Sequence, residues 1–260
     1  MHNFRLFLIN MDAAHNTVHI CRNPDDLSRK VAQRWLEVSE QANRSRGHFH
    51  VALSGGSTPQ LLYRQLASPA FIEMIAWHTT HVYFGDERCV PPNHPDSNYR
   101  MAHEALLRHV PIPHIQVHRI EAEQDDPELC ASRYAQCLKT HLPATSDGEK
   151  FLDLVLLGLG PDGHIASLFP DTDILNEHTR WVAPVYVAKL QAWRISMTFK
   201  ALGLARHVII LVAGDSKADI IAQVLGNRQH MTKYPVEMLR IADQFEWYLD
   251  TAAAKDISIK

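Results

Sequence analysis

A chain of 260 residues with 46% hydrophobic and 21% charged side chains is long enough to bury a sizeable core and has the make-up of a folded, not a disordered, protein. Its formal net charge of −3 offers no surplus of cations for a phosphate backbone, and Arg44 and Arg46 form only a short cluster, so nucleic acid is not an expected partner. The apolar stretch Phe4 to Ile9 is too short for a membrane span, and the four scattered cysteines, Cys21, Cys89, Cys130 and Cys137, contain no C-x-x-C pair; reduced thiols, a cytoplasmic location and no membrane partner are expected.

Taken in chain order, short apolar or β-branched runs predict strands at His48 to Leu53, Thr80 to Phe84, Ile115 to Val117, Leu152 to Leu157, Trp181 to Val187 and Val208 to Val212. Helical patterns lie between them, at Asp25 to Ser45, Pro59 to Ala67, Asn98 to His109, Pro127 to His141 and Ser216 to Leu225. Parallel strands need long crossovers, which helices supply. The alternation therefore predicts an α/β fold of Rossmann-like type, a mostly parallel sheet with helices on both faces. No repeat, low-complexity tract or Gly/Ser linker divides the chain, so residues 1–260 are expected to form a single domain. Seventeen histidines is a high count. His103, His109, His114 and His118 lie close together, but without H-E-x-x-H or another recognised ligand spacing they read as surface and helix-end residues.

In such a fold ligands collect at the carboxyl ends of the strands, and four polar loops stand there. Ser54-Gly55-Gly56-Ser57-Thr58-Pro59 offers glycines for close backbone approach, hydroxyls, and the start of a helix; it suits a phosphate, or it is a glycine turn with a capping hydroxyl. Gly85-Asp86-Glu87-Arg88 is either a salt-bridged surface turn or a group that orients hydroxyls and binds an anion. Gly158-Leu159-Gly160-Pro161-Asp162-Gly163-His164 formally satisfies G-x-G-x-x-G. Pro170 shortens any following helix, however, and no acidic residue ends a clear second strand about twenty residues on, as ribose recognition needs. Asp162 and His164 are instead equipment for proton transfer. In Gly214-Asp215-Ser216-Lys217 a lysine opens a helix, where a cation is unhelpful unless it meets an anion or simply snorkels. Arg194, in an alternating strand-like stretch, could reach the same anion or lie exposed on an edge strand.

Together these loops resemble those of the 6-phosphogluconolactonase family, with its S-G-G-S-T-P, G-D-E-R, G-x-G-x-D-G-H-x-A-S-L-F-P and G-x-x-K segments. The match runs from Leu53 to Lys217; its most specific parts are Gly158 to Pro170 and Gly85 to Pro91, the latter followed by Asp96-Ser97-Asn98. Ile165 stands where that family often has threonine. The resemblance implies hydrolysis of a phosphorylated sugar lactone, 6-phosphogluconolactone, in the pentose phosphate pathway. Gly55, Gly56, Ser57, Thr58, Asp86, Arg194 and Lys217 would bind substrate and its phosphate. His164 would be the general base, with Asp162 placing it and Arg88 or loop amides stabilising the tetrahedral oxygen. Neither a metal nor an organic cofactor is required. The related glucosamine-6-phosphate deaminases share the phosphate loop, D-G-H and G-x-x-K, but carry D-G-H-I-A-F-N-E-P, placing a glutamate where this chain has Phe169, and D-E-Y where it has Asp86-Glu87-Arg88. A non-catalytic sugar-phosphate sensor is the third possibility; no helix-turn-helix segment or basic face accompanies it.

Overall fold

The computed structural model of the protein describes residues 7–8, 16–146, 148–226, 234–239 and 244–257. Its elements in chain order are β1 (Phe7–Leu8), β2 (Asn16–Cys21), α1 (Pro24–Arg46), β3 (Phe49–Leu53), α2 (Ser57–Leu66), β4 (Thr80–Phe84), β5 (Asp86–Arg88), α3 (Asn98–Ala105) and α4 (Pro127–His141). They continue with β6 (Leu152–Gly158), β7 (Val182–Val187), β8 (Ala192–Met197), α5 (Phe199–Leu202), β9 (Ala205–Val212), α6 (Ala218–Val224), α7 (Pro235–Met238) and β10 (Gln244–Asp250). Of the apolar stretch Phe4 to Ile9 only β1 falls within the described residues. No described helix is long and apolar enough to cross a membrane.

Local chemistry sets the ends of α1. Asn23 accepts a hydrogen bond from Asp26 N at 2.9 Å, Pro24 fills the first turn, and Asp25 and Asp26 sit at the positive end of the dipole. Gly47 stops the helix at φ 81°, donating its N–H to the Asn43 carbonyl. Between them Leu27, Val31, Trp35, Val38 and Ala42 recur every three or four residues and are buried.

The main sheet has the order β1-β2-β10-β9-β6-β3-β4, parallel throughout except for β1. Every residue of β3 and the first six of β6 are buried, so both faces of the sheet are covered, as the near-continuous apolar runs require. From β3 the chain moves outward to β4, then returns to the other side of β3 for β6 and proceeds through β9 to β10. The order thus reverses between β3 and β6, and at such a switch point the loops leaving the two strands diverge and open a crevice.

Three expectations need correction. Trp181 to Val187 does not join the parallel sheet: β7 pairs with β8, and β8 with β5, in a separate antiparallel sheet of three strands. Only a short turn at Ala188–Leu190 separates β7 from β8, and so tight a connection permits antiparallel pairing alone. Ile115 to Val117 is not a strand: a single 3-10 turn spans His114–Gln116, capped by Pro113 before it, and only Val117, just past it, bridges to Val82. Of the four clustered histidines, His109 and His114 are exposed, but His118 is buried. β2 and β10, which no sequence signal marked, complete the sheet.

Candidate active site

The loop after β3 is shaped by what surrounds it. A Cβ on Gly55 would lie 1.9 Å from Asn98 Oδ1, so only glycine lets the backbone pass there. Tyr63, fully buried on α2, brackets the loop: its hydroxyl accepts from Ser54 N at 2.9 Å and donates to Ser54 O at 2.7 Å. Gly56, at φ 106°, turns the chain into α2 and brings no side-chain cap. The first turn of the helix, with Ser57 and Thr58, faces the cleft at the positive end of its dipole.

At Gly85 the chain leaves the main sheet for the small one. Its N–H donates to Leu53 O and its carbonyl accepts from Met197 N, and the next residues form β5, not the surface turn their charges suggest. Glu87 is buried and spends its carboxylate on the start of α3, accepting from Ser97 Oγ, Asn98 N and Tyr99 N at 2.8–3.0 Å. Asp86 is buried as well: Oδ2 accepts from Ser167 Oγ at 2.6 Å and Oδ1 from Asn98 Nδ2 at 3.1 Å. Arg88 and Arg194 stand directly opposite each other on β5 and β8. The Nε of each is buried without a hydrogen-bond partner among the described residues, and Arg88 Nη1 donates to Asp96 O. Burial pulls the Arg194 guanidinium below its usual range, Asp86 opposing and the neighbouring Arg88 adding to the effect. Two adjacent guanidinium groups with unmet donors form a strong receptor for a dianion.

The loop after β6 carries the titrating pair. His164 Nδ1 lies 2.5 Å from Asp162 Oδ1, and Lys189 donates to the other carboxylate oxygen. With Nδ1–H directed to Asp162, Nε2 keeps the lone pair. Burial pushes the imidazole below its usual value even though Asp162 pulls the other way, so it is neutral at pH 7. Asp162 is held at about 2: burial would raise it, but the hydrogen bonds from Lys189 and His164 win. Phe169 stacks on the imidazole at 4.0 Å between centroids, tilted by 28°. A Cβ on Gly160 would meet His164 Nδ1 at 1.9 Å, which explains the glycine there without any dinucleotide.

Lys217 ends the turn after β9, and its Nζ donates to Leu159 O at 2.8 Å. Burial lowers it, Asp162 opposing. The loop is anchored from β10, where both carboxylate oxygens of Asp250 accept from Gly214 N at 3.0–3.1 Å. Gly55, Gly56, Ser57, Thr58, Asp86, Arg88, His164, Arg194 and Lys217 all line one cavity of about 220 Å³. Of the expected site residues only Asp162 stands outside it, behind the imidazole it binds. Of two larger cavities, that of about 590 Å³ is lined by His19, Arg29, Lys30 and Arg34, but these are paired with Asp26, Glu37 and Glu246, and that of about 710 Å³ has no histidine in its lining. Asn98, Ser167 and Lys189 escaped the sequence reading as site residues. Ser97-Asn98 carried a weak signal as a helix start, whereas nothing near Lys189 in the chain ties it to Asp162.

The chain is 37% identical over 243 residues to the 6-phosphogluconolactonase of a Nostoc species, covering 94% of this chain and 99% of that one. It is 35% identical over 227 residues to the 6-phosphogluconolactonase of Haemophilus influenzae, covering 87% and 93%. The solved structure of the Trypanosoma brucei 6-phosphogluconolactonase superposes with a TM-score of 0.80 at 28% identity, covering 93% of this chain and 98% of that one. A family model described as glucosamine-6-phosphate isomerases/6-phosphogluconolactonase matches residues 22–247, and the chain belongs to that family.

Proposed function

We propose that the protein hydrolyses 6-phosphogluconolactone to 6-phosphogluconate, the lactonase step of the pentose phosphate pathway. One observation carries the reading: Arg88 and Arg194, each with an unpartnered Nε among the described residues, and Lys217 line the same small cavity as a neutral, carboxylate-bound histidine. The substrate's phosphate binds at the first turn of α2, against the Gly55 to Thr58 loop, with Arg194 and Lys217 neutralising it. Fixing the phosphate presents the lactone carbonyl to a water at His164, so orientation replaces chance encounter. His164 Nε2 takes a proton as that water attacks, and the imidazolium that forms is stabilised by Asp162. Arg88 or the loop amides meet the negative charge on the tetrahedral oxygen. Collapse expels the ring oxygen, which His164 reprotonates. Asp86 contributes by holding Asn98, and through it the Gly55 turn, in place. An activated ester is electrophile enough that the scheme calls for neither metal nor cofactor. Four free cysteines among the described residues suit a reducing compartment, the cytoplasm.

A deaminase needs a carboxylate for ring opening where Phe169 stands, and that phenyl ring, 4% exposed, is packed on His164. The test is a paired assay. The protein is given 6-phosphogluconolactone, with its loss followed against spontaneous hydrolysis, and separately glucosamine 6-phosphate, with ammonia as the readout. Accelerated lactone loss without ammonia is the expected result; ammonia release, or lactone loss at the spontaneous rate, overturns the proposal.

A further inference from the structure

A second cluster of ionisable groups lies on β3, β4 and α4, and none of it lines the active-site cavity. His50 sits directly opposite His81 across β3 and β4, and Tyr83 shares the face of β4 with His81 because side chains alternate. The rings follow in series: His50 stacks on His81 at 4.6 Å, His81 on His118 at 5.6 Å, and His118 meets His141 at 4.5 Å between centroids with the planes tilted by 38°. Cys137 and His141 are four residues apart on α4, so they project from one side of the helix. Cys137 Sγ lies 3.6 Å from His141 Nδ1 and 3.8 Å from His118 Nδ1, and the three donor atoms all fall within 4.8 Å of one another.

These spacings are those of a coordination shell. A tetrahedral zinc ion with bonds of about 2.3 Å to sulfur and about 2.0–2.1 Å to nitrogen holds each S···N pair roughly 3.6 Å apart. Without an ion the same atoms can hydrogen-bond, the thiol to His118 Nδ1 and His141 Nδ1–H to the Cys137 carbonyl, so the spacing and the donor set carry the argument. His118 Nε2 lies 3.3 Å from His81 Nδ1; a proton on Nε2, donated to His81, leaves the Nδ1 lone pair directed at Cys137, the outer-shell arrangement that orients metal-bound histidines. His141 Nδ1 is also 2.9 Å from the Cys137 carbonyl, a contact that coordination would exchange for a bond to the ion.

We propose that His118, Cys137 and His141 form a zinc site, with water as the fourth ligand, that ties α4 to the segment running beside β4. One thiolate with two imidazoles suits a borderline-soft d¹⁰ ion. Binding deprotonates Cys137, so one thiol proton is released to solvent for each ion taken up. The site is remote in function from lactone hydrolysis, and its test does not depend on that activity.

The test uses the full chain, stripped with a chelator and titrated with Co²⁺, then with Zn²⁺. One equivalent of Co²⁺ is expected to give a thiolate-to-cobalt charge-transfer band with tetrahedral d–d bands, displaced by Zn²⁺. Cys137→Ser removes the charge-transfer band, and His141→Ala, at an exposed helix end, weakens binding at least about 100-fold. Zn²⁺ raises the Tm of the wild type and leaves that of Cys137→Ser unchanged. Circular dichroism checks that each variant is folded; if Cys137→Ser fails that check, His141→Ala decides. Persistence of the band in Cys137→Ser, unweakened binding in His141→Ala, absence of a saturable band in the wild type, or loss of the band in His164→Ala, which would move the ion to the cleft, each overturns the proposal.

Discussion

Gly55→Ala probes the support of the loop after β3 most directly. The new methyl would stand 1.9 Å from Asn98 Oδ1 and 2.6 Å from its Cγ, and Asn98, 2% exposed, has no solvent to retreat into. Displacing it breaks the hydrogen bonds from Nδ2 to Asp86 O at 2.9 Å and Oδ1 at 3.1 Å. Overpacking costs about 1–3 kcal/mol and two hydrogen bonds about 0.5–1.5 kcal/mol each. Alanine's smaller unfolded-state entropy returns about 0.4–1 kcal/mol. The net loss is roughly 3 kcal/mol, which for a chain of this size lowers Tm by roughly 6–12 °C. Because the clash is with one side chain, Asn98→Ala should relieve it. Asn98→Ala alone loses the two hydrogen bonds, about 1–3 kcal/mol, but that background removes all three atoms nearest to the Gly55→Ala methyl. Thermal or denaturant unfolding of the four proteins closes a double-mutant cycle with a favourable coupling of about 4 kcal/mol, the overpacking relieved plus the hydrogen bonds otherwise counted twice. Effects that add to within about 0.5 kcal/mol would show that the Asn98 contact does not dictate glycine at this position.

The remaining predictions concern the chemistry. His164→Ala should lower kcat by about 10²–10⁴-fold with substrate binding retained; near-normal turnover would remove the imidazole from the reaction. Because burial sets His164 below its usual value, wild-type kcat/KM should rise with pH through a pKa under 6.5, the base being active once deprotonated. Asp162 raises that pKa and Lys189 lowers it, so Asp162→Asn should move the acidic limb to lower pH and Lys189→Met to higher pH. Shifts in the same direction would contradict the arrangement. Lys217→Ala should raise KM for the phosphorylated lactone and change turnover of an unphosphorylated lactone little; equal losses on both substrates would argue against a phosphate contact.

Much of the site was legible because its residues sit next to one another in the chain. Gly55 to Thr58, Asp162 with His164, and Gly214 to Lys217 are each contained in one loop at a strand end, and strand periodicity alone predicts that those ends align. The functions of Asp86 and Glu87 were less legible. A carboxylate reads the same in sequence whether it faces solvent or accepts from Ser167 and Asn98, and burial is a property of neighbours far along the chain. Lys189 reaches Asp162 across 27 residues from a turn with no pattern of its own.

By itself the amino-acid sequence determined the alternation of strand and helix, the ends of α1, and which strand-end loops carry the polar groups that line the cavity, since propensity, capping and hydrophobic period act over a few residues. Tertiary structure decided the rest: the strand order that opens the crevice between β3 and β6, the removal of β7 and β8 to a second sheet, and the pairing of Arg88 with Arg194. It also gathered His118, Cys137 and His141 into one cluster. Such choices follow from which distant surfaces pack together and exclude water, a free energy summed over the whole core that no local stretch of chain encodes.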